Sequence, residues 1–448
     1  MCGLAGFIGF ENNNDLAAKA NKIQQHRGPD NQSVWQDDYI AFAHQRLSII
    51  DLSEAANQPF HKHDLVTVFN GEIYNYKELQ DKLIAEKQIT FNTSSDTEVV
   101  VEMFKHYGYD CLNHFLGMFA FAIYNRTTGE LFIARDHFGI KPLFYTQING
   151  AFAFSSELKT LVHVPGFNKT INPKSLVSCL NYIWISGNES MFKGCYKLPP
   201  AHYISYNKTT GLKLVKYWEL QDNTGNKTSS NIDSIAADVA DTMESSVKRH
   251  MVADVPVSCF LSGGLDSSLI SVLAKKSNDH LSTYTIGTDD KDKKAESMPD
   301  DEKYANMLAG LFNLDHNVIK ISPDILKDLP AMVKSLDEPI GDPAAINTYL
   351  ICKAARDKGV KVLLSGMGAD EIFFGYRRQK ATMMAQRFNR LPQPVKYVVS
   401  KMVNLLPVKI SNRGFKFGRW AKRFMSFATM PLERAYMRSY SYYDTDQL

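Results

Sequence analysis

Ser262-Gly263-Gly264-Leu265-Asp266-Ser267-Ser268 directly follows the apolar stretch Val257–Leu261 and precedes a segment with helical periodicity. Two adjacent glycines allow the backbone to approach a phosphate group closely. The predicted helix would direct its unpaired N–H groups and the positive end of its dipole at the same anion. The serine hydroxyls add donors, and Asp266 adds a carboxylate suited to Mg²⁺. The stretch therefore predicts a strand, a phosphate-binding loop and a helix.

Strand-like and helical segments alternate on both sides of this loop. The apolar, strand-like segments are Val257–Leu261, Leu281–Ile286, His316–Ile319 and Val360–Leu364. The segments with helical periodicity are Ile232–Arg249, Asp266–Lys276, Asp300–Phe312 and Ala345–Lys358. This alternation predicts βαβ units and a parallel α/β sheet with helices on both faces.

A second loop, Ser365-Gly366-Met367-Gly368-Ala369-Asp370-Glu371, follows the strand-like segment Val360–Leu364. The carboxyl ends of parallel strands lie on one edge of a sheet, where ligands bind. We therefore expect Asp266 and Asp370 to face one site. Because Mg²⁺ prefers one or two carboxylates together with phosphate oxygens, these two residues are the predicted metal ligands.

The first part of the chain, up to about residue 155, has a different pattern. Short apolar or alternating runs bounded by Gly, Asn and Asp predict several strands, and helical periodicity occurs at Tyr76–Glu86 and Thr97–Tyr107. This pattern predicts layered sheets packed with helices, an α+β arrangement. The polar segment Gln221–Asn231 has no apolar anchors and is predicted to be a linker.

The second residue of the chain is a cysteine, followed by Gly3. Removal of Met1 would leave Cys2 with a free α-amine beside its own thiol. An α-amine titrates near ~8, lower than a lysine, so it can act as the general base for the adjacent sulfur. Cys2 is therefore a candidate for a residue that supplies both the nucleophile and its base.

The composition of the chain favours a globular protein of more than one domain over a nucleic-acid-binding, disulfide-rich or membrane protein. The 448 residues are 44% hydrophobic, which is enough for two or three domains, and the net charge of +3 is too small to indicate nucleic-acid binding. The six cysteines have no C-x-x-C or metal-like spacing, which favours reduced thiols in the cytoplasm. No signal sequence and no apolar run near the ~20 residues of a membrane span is found, so no span is expected.

Several short segments between the predicted strands extend the pattern that begins at Cys2. They are His26–Asp30, Arg46–Ile50, Asn70–Asn75, Ser95-Asp96, Gly117–Phe121, Arg135–Gly139, Ser156–Lys159 and Leu198–Pro200. Together with Cys2-Gly3, the earlier segments resemble the class II glutamine amidotransferase domain. Joined to the Ser262–Ser268 loop, they make nearly the whole chain resemble the glutamine-hydrolysing asparagine synthetases.

The resemblance implies two domains. Residues 2–215 would form an αββα N-terminal-nucleophile amidotransferase domain, residues 216–231 a linker, and residues 232–448 a parallel-sheet α/β pyrophosphate-loop domain that binds an adenine nucleotide. Members of the family usually continue further, including a lysine-bearing segment that is not found before Leu448. The second domain is therefore expected to be C-terminally short.

The resemblance also implies how glutamine is hydrolysed. The sulfur of Cys2 would attack the glutamine carboxamide. The side-chain amide of Asn70 and the backbone N–H of Gly71 would stabilise the negatively charged oxygen of the tetrahedral intermediate. These three are the implied catalytic residues.

Other residues of this half are implied to hold the rest of the substrate. The guanidinium of Arg46 would pair with the α-carboxylate of glutamine, and Asp96 together with Glu72 would receive its α-ammonium. The full set of implied glutamine-binding residues is Arg46, Leu47, Ser48, Ile49, Ile50, Asn70, Gly71, Glu72 and Asp96.

In the second domain, the resemblance implies binding of ATP with Mg²⁺. The implied ATP-binding residues are Leu261, Ser262, Gly263, Gly264, Asp266, Ser267, Ser268, Ile286, Ser365, Gly366 and Tyr376, with Asp266 and Asp370 as metal ligands. ATP and aspartate would give β-aspartyl-AMP and pyrophosphate. Ammonia released at Cys2 would then pass internally to that ester, giving asparagine and AMP, since sequestration protects the ester from water.

Two features depart from the pattern: Met367, and the segment Asp337–Ala345, which differs from the Thr-Thr-containing stretch that bacterial and animal members of the family use near aspartate. Met367 stands where bacterial and animal members carry a glutamate implied to deprotonate the incoming ammonia, and a thioether cannot take a proton at neutral pH. The acceptor is thus expected to be aspartate or another carboxylate. The alternatives are an amidotransferase of surface-polysaccharide biosynthesis, a glutaminase with a degenerate synthetase half, and a non-catalytic ligand-binding protein. The expected partners are small-molecule substrates; a homodimer is left open.

Overall fold

The computed structural model describes residues 1–222, 231–287, 301–320, 325–410 and 413–443. The chain divides into two compact units. The first contains Met1–Leu176 and Ile185–Ser365, and the second contains Val177–Trp184 and Gly366–Leu448. Each unit is described separately.

The first part of unit 1 contains twelve strands among its described residues. They are β1 (Gly3–Ile8), β2 (Asn31–Gln36), β3 (Ile40–Arg46), β4 (Phe60–Lys62), β5 (Leu65–Ile73), β6 (Gly117–Asn125), β7 (Glu130–Arg135), β8 (Phe144–Ile148), β9 (Ala151–Ser155), β10 (Cys195–Lys197), β11 (His202–Asn207) and β12 (Gly211–Lys216). They form two six-stranded antiparallel sheets, in the orders β10-β8-β9-β1-β3-β2 and β12-β11-β7-β6-β5-β4.

Helices cover the outer faces of these sheets. They are α1 (Asn13–Gln24), α2 (Tyr76–Lys87), α3 (Asp96–Tyr107) and α4 (Leu158–Leu161). A further helix, α5 (Pro173–Tyr182), begins in unit 1 and ends in unit 2. One core lies between the sheets, a second between the second sheet and α2 with α3, and a third between the first sheet and α1 with α4. The architecture is therefore αββα.

Strand β1 shows how the sequence produces these layers. Side chains alternate along a strand, so Leu4 and Ile8 enter the core between the sheets, whereas Ala5 and Phe7 pack on the helical side. All six residues of the strand are buried. Because β1 pairs with β3 on one side and β9 on the other, it is a central strand, and it fixes the position of the residue that precedes it.

The second part of unit 1 contains a four-stranded parallel sheet. Its strands are β13 (Val257–Phe260), β14 (Ser282–Gly287), β15 (Asp315–Lys320) and β16 (Val362–Leu364), in the order β15-β14-β13-β16. Its helices are α6 (Ile232–His250), α7 (Leu265–Lys275), α8 (Asp301–Phe312), α9 (Ile325–Ser335) and α10 (Ala344–Asp357). The alternating order and the parallel pairing confirm the predicted α/β fold of this part.

Unit 2 is mainly helical. Its further helices are α11 (Ala369–Phe373), α12 (Arg377–Asn389), α13 (Gln393–Leu405), α14 (Lys416–Met425) and α15 (Leu432–Tyr440), with a short hairpin of β17 (Lys409–Ile410) and β18 (Arg413–Gly414). A small core of Ala385, Phe427, Ala428 and Ala435 holds α12 and α15 together.

The predicted two-domain fold class is confirmed, and the predicted helices lie within about two residues of the observed ones. Residues 223–230 of the predicted linker are outside the described residues, and the boundaries at 215 and 232 stay predictions. Among the helices that the structure describes, none has both the length and the apolar character needed to cross a bilayer.

Candidate active site

Cys2 lies at the start of the central strand β1. The register pairs Gly3 with Gln45, which brings Cys2 beside the residues that follow β3. The sulfur of Cys2 accepts the N–H of Leu47 at 3.4 Å and lies 3.7 Å from the carbonyl oxygen of Leu47. The carbonyl oxygen of Cys2 accepts a hydrogen bond from Nε of Arg27 at 2.9 Å. The strand therefore presents the thiol at a fixed position.

A cavity surrounds this thiol and contains most of the residues predicted for glutamine. The predicted residues that line it are Cys2, Arg46, Leu47, Ile49, Ile50, Asn70, Gly71, Glu72 and Asp96. Ser48 does not line it; its N–H donates to Oδ2 of Asp30 at 2.8 Å instead. The remaining lining residues are Met1, Ala56, Gln58, Phe69, Ser95, Thr97 and Lys141. Residues distant in the sequence thus converge on one thiol.

Asn70 and Gly71 occupy the end of β5. Asn70 is buried, and among the described residues its amide nitrogen Nδ2 has no hydrogen-bond partner. A buried donor without a partner costs about 1–3 kcal/mol, so it is the kind of group a developing negative charge would satisfy. At Gly71, a Cβ atom would lie 2.3 Å from the carbonyl oxygen of Met118, which explains the glycine.

Two buried carboxyl groups line the same cavity. Burial raises the pKa of Asp96 to about 7, with Glu72 and Cys2 adding to the increase, although the N–H of Ile73 donates to Asp96 at 3.0 Å and opposes it. Burial also raises the pKa of Glu72, and the nearby ammonium of Lys141 opposes that increase. The cavity thus places two carboxyl groups of raised pKa where a substrate ammonium would favour their charged forms.

The guanidinium of Arg46 is buried and already hydrogen-bonded. Its Nη groups donate to the carbonyl oxygens of Ser53 (2.8 Å), Ile50 (3.4 Å) and Asp51, and to Oδ1 of Asn57 (2.8 Å). Arg46 therefore holds the loop after β3 in shape. A substrate carboxylate would have to meet the Nε–H of Arg46 or displace one of these acceptors.

Lys141 and Arg27, for which the sequence predicted no role, also lie at the site of Cys2. Lys141 is 5% exposed and lines the cavity. Burial lowers its pKa, while Glu72 and Cys2 oppose the decrease. Arg27 links the carbonyl of Cys2 to the carboxylate of Glu157, at 3.2 Å from Nη1. The only sequence signal was that Arg27 belongs to a segment that carries the resemblance.

We expect the affinity for glutamine to depend on pH through Asp96. A carboxyl group is neutral below its pKa, so below about pH 7 this group progressively loses its attraction for the substrate α-ammonium. Affinity should fall by up to about tenfold per pH unit below that value. Titration calorimetry of glutamine with Cys2→Ala protein, which cannot turn the substrate over, measures this between pH 5.5 and 8.5.

Two further variants in the same background test the assignment to Asp96. Adding Asp96→Asn should give weak binding that no longer changes across this range. Adding Glu72→Gln, a matched change of a neighbouring carboxyl group, should keep the decrease at low pH. Equal pH dependence with and without Asp96 would contradict the prediction.

The loop between β13 and α7 folds onto its own serines. The hydroxyl of Ser267 accepts the N–H of Ser262 at 3.1 Å, and the two hydroxyls are 2.9 Å apart. Gly263 has a φ of +70°, and a Cβ atom there would lie 2.7 Å from the carbonyl oxygen of Asp301. Only glycine fits this position without strain. The structure therefore has the strand, tight loop and helix that the sequence predicts.

The other predicted nucleotide-binding residues are divided between the compact units. In unit 1, Leu261 is fully buried at the end of β13, and Ile286 lies in the adjacent strand β14. Ser365 follows β16, whose parallel pairing with β13 places Ser365 and the start of the Ser262–Ser268 loop on the same edge of the sheet.

Gly366, Asp370 and Tyr376 belong to unit 2. The Tyr376 hydroxyl donates to Glu371 at 2.7 Å. Because Asp266 lies in unit 1, its convergence with Asp370 stays a prediction. Over the ranges that the structure describes, no cluster of three or more His, Cys, Asp or Glu side chains could hold a metal ion.

Comparison with known families agrees with this arrangement. A family described as glutamine amidotransferase domain matches residues 1–218, and one described as asparagine synthase matches residues 238–446. The fold and these matches define a two-domain protein with a glutamine amidotransferase domain followed by a parallel α/β domain of the asparagine synthase type. The chain belongs to the glutamine-hydrolysing asparagine synthetase family.

Individual relatives agree with that membership. Asparagine synthetase [glutamine-hydrolyzing] 1 of Bacillus subtilis is 35% identical over 416 residues, covering 90% of this chain and 64% of the relative. A putative asparagine synthetase [glutamine-hydrolyzing] 2 of Methanocaldococcus jannaschii is 32% identical, covering 91% of this chain and 81% of the relative. The chain thus spans a little under two thirds of the Bacillus relative.

A solved structure, glutamine phosphoribosylpyrophosphate amidotransferase from B. subtilis with ADP and GMP, aligns with a TM-score of 0.37 at 18% identity. The alignment covers 63% of this chain and 65% of that one.

Proposed function

We propose that this chain hydrolyses glutamine at Cys2 and transfers the ammonia to an ATP-activated carboxylate, with aspartate as the leading acceptor. The products would be asparagine, glutamate, AMP and pyrophosphate. The observation that carries the proposal is the cavity in which the Cys2 thiol shares a wall with the unpartnered amide of Asn70 and the buried carboxyl of Asp96.

The proposed hydrolysis begins after removal of Met1. An α-amine titrates near ~8, so a substantial fraction of the amine freed on Cys2 is neutral near neutral pH and can act as a base. That amine takes the thiol proton, and the sulfur forms a bond to the glutamine carboxamide carbon. The oxyanion lies between Nδ2 of Asn70 and the N–H of Gly71. The protonated amine returns the thiol proton to the amide nitrogen, the C–N bond breaks and ammonia leaves. Water then cleaves the thioester to give glutamate and the free thiol.

The synthetase step uses the edge of the parallel sheet. The N–H groups of the loop Ser262–Ser268 and the start of α7 would bind the phosphates of ATP. Asp266, in the first turn of α7, would supply a carboxylate oxygen of the kind that Mg²⁺ prefers, and the ion would shield phosphate charge. Asp370 stays a second ligand predicted from the sequence pattern alone. The acceptor carboxylate attacks the α-phosphate, pyrophosphate leaves, and ammonia displaces AMP.

A direct assay tests the whole proposal. The purified chain with glutamine, ATP, Mg²⁺ and aspartate should release glutamate, AMP, pyrophosphate and asparagine in equal amounts. Absence of glutamate would contradict the role of Cys2. Glutamate release without AMP or pyrophosphate formation, whatever carboxylate is supplied, would reduce the proposal to a glutaminase.

Met367 favours a second candidate, a ligase for a carboxylate other than aspartate. Its side chain is 80% exposed and cannot take a proton from ammonia. Comparing aspartate with carboxylate-bearing sugars in an ATP–pyrophosphate exchange assay separates the two candidates. Exchange that depends on a sugar acid and not on aspartate would select the second.

Asn70→Ala should slow glutamine hydrolysis by about 10²–10³-fold in kcat, because one oxyanion donor contributes that much in comparable sites. KM for glutamine should change by less than about threefold, since the donor acts on the transition state. Steady-state glutamate release measures both. Asn113→Ala, at an exposed asparagine bonded to Asp110, is the matched control and should leave kcat unchanged. A rise in KM with kcat preserved would assign Asn70 to substrate binding instead.

A further inference from the structure

We propose that Asp254 and Lys361, two residues of the parallel-sheet part, are positioning residues for the glutamine site. They hold the loop that follows β3, residues 47–51, against the parallel sheet. The inference rests on the proposed glutamine hydrolysis at Cys2 and extends it: glutamine affinity is set partly by side chains of the other half of the chain.

Asp254 contacts this loop through its backbone and its side chain. The N–H of Asp254 donates to the carbonyl oxygen of Ile49 at 2.9 Å. Oδ2 of Asp254 accepts the N–H of Asp51 at 2.7 Å. The two hydrogen bonds bracket Ile50, and both Ile49 and Ile50 line the cavity at Cys2. A movement of Asp254 would therefore move the wall of the cavity.

Lys361 holds the preceding residues of the same loop. Its ammonium donates to Oδ2 of Asp30 at 2.7 Å and lies 3.4 Å from the carbonyl oxygen of Ser48. The same Oδ2 of Asp30 accepts the N–H of Ser48 at 2.8 Å. Ser48 is absent from the lining of the cavity, whereas its neighbours Leu47 and Ile49 line it.

The loop held in this way contacts the reacting atoms. Its residue Leu47 donates its N–H to the sulfur of Cys2, and its residue Asp51 presents its carbonyl oxygen to the guanidinium of Arg46. Loss of either anchor would therefore disturb the substrate contacts directly, without removing any group that takes part in the chemistry.

The two anchors come from adjacent elements of one sheet. Asp254 precedes β13 and Lys361 precedes β16, and these strands pair in parallel, with Val257 opposite Val362. The amino ends of the two strands therefore lie beside the loop that follows β3. Their carboxyl ends are followed by Ser262 and, after β16, by Ser365. At about 3.3 Å per residue, the four residues of β13 separate the two edges by only about 13 Å.

The test compares kcat and KM for glutamine hydrolysis in the full chain with substitutions at these positions. Asp254→Ala should raise KM about fivefold and change kcat by less than about twofold. Asp254→Asn should restore KM to within about twofold, because its Oδ1 still accepts the N–H of Asp51. Lys361→Met should raise KM about threefold. Combined with Asp30→Asn, it should add less than the sum of the two changes, because the two side chains form one contact.

Lys276→Met is the matched control, since Lys276 pairs with Glu244 in an exposed contact away from the loop. It should leave KM unchanged. Thermal unfolding of each variant shows whether it is folded. Normal glutamate release with an unchanged KM in Asp254→Ala and Lys361→Met would overturn this inference and leave the proposed function standing. Asp254→Asn as impaired as Asp254→Ala would also overturn it. Absence of glutamate release from the unsubstituted chain would overturn both.

Discussion

Cys2→Ala should abolish glutamine-dependent product formation, by at least about 10³-fold, and leave ammonia-dependent formation within about twofold of the unsubstituted chain. The loss is large because removal of a nucleophile leaves only binding and oxyanion stabilisation to act on the substrate. Ammonia supplied from solution bypasses the cavity at Cys2, so the synthetase half should be unaffected. Product formation with glutamine and with ammonium chloride, measured side by side, gives both values.

Cys352→Ala is the control for this experiment, because Cys352 is exposed and lies on α10, outside the cavity. It should behave as the unsubstituted chain with either nitrogen source. The intact mass of the purified chain provides an independent check, since it should be lower than the full sequence by one methionine. Glutamate release that survives in Cys2→Ala, or in protein that keeps Met1, would contradict the proposed nucleophile and base.

Gly263→Ala should reduce ATP–pyrophosphate exchange by at least about 100-fold and lower the stability of the chain. The positive φ of Gly263 costs an alanine about 1–2 kcal/mol. The added methyl group would also lie 2.7 Å from the carbonyl oxygen of Asp301 and 2.8 Å from Cβ of Tyr304, so the loop or α8 must shift. A shift misplaces the N–H groups that would bind the phosphates. Exchange of labelled pyrophosphate into ATP measures the loss.

Gly310→Ala is the matched control for this change, since Gly310 lies in the same helix α8 with nothing within 4 Å of an added Cβ. It should leave exchange unchanged and stabilise the helix by up to about 1 kcal/mol. Thermal unfolding compares the two variants, and glutamate release should persist in both. Exchange that is equal in Gly263→Ala and Gly310→Ala would show that this loop does not bind the nucleotide.

The sequence was sufficient to predict a strand or helix wherever the local residue pattern agrees with the tertiary environment of that segment. The apolar strands and the helices α2 and α3 follow directly from periodicity and capping; the Ser95 hydroxyl accepts the N–H of Thr97 at the start of α3, as expected. Helix α1 was not predicted, because it begins with two asparagines, which are weak helix formers, and Asn12 makes no side-chain capping hydrogen bond; the helix packs on the first sheet. Strand β2 was missed because it is a polar edge strand with alternating exposure.

The sequence predicted which residues line the cavity better than it predicted the contacts that these residues make. Residues in segments that carry the resemblance were brought together around Cys2, although the catalytic and binding roles stay predictions. No pattern in the sequence pointed to Lys141, because it lies in the connection between β7 and β8 and is brought to the cavity at Cys2 only by the tertiary fold. The hydrogen bonds from Arg46 to the loop after β3 could not be predicted either, because they depend on how residues 50–57 fold back onto the guanidinium.

The central position of β1 has a practical consequence for anyone who produces this protein. Gly3 packs so tightly that a Cβ atom there would lie 2.8 Å from Oε1 of Gln24, and the strand is flanked by partners on both sides. An affinity tag fused ahead of Cys2 would occupy the glutamine cavity and deny the thiol its base at the same time. Purification handles for activity measurements therefore belong at the other terminus.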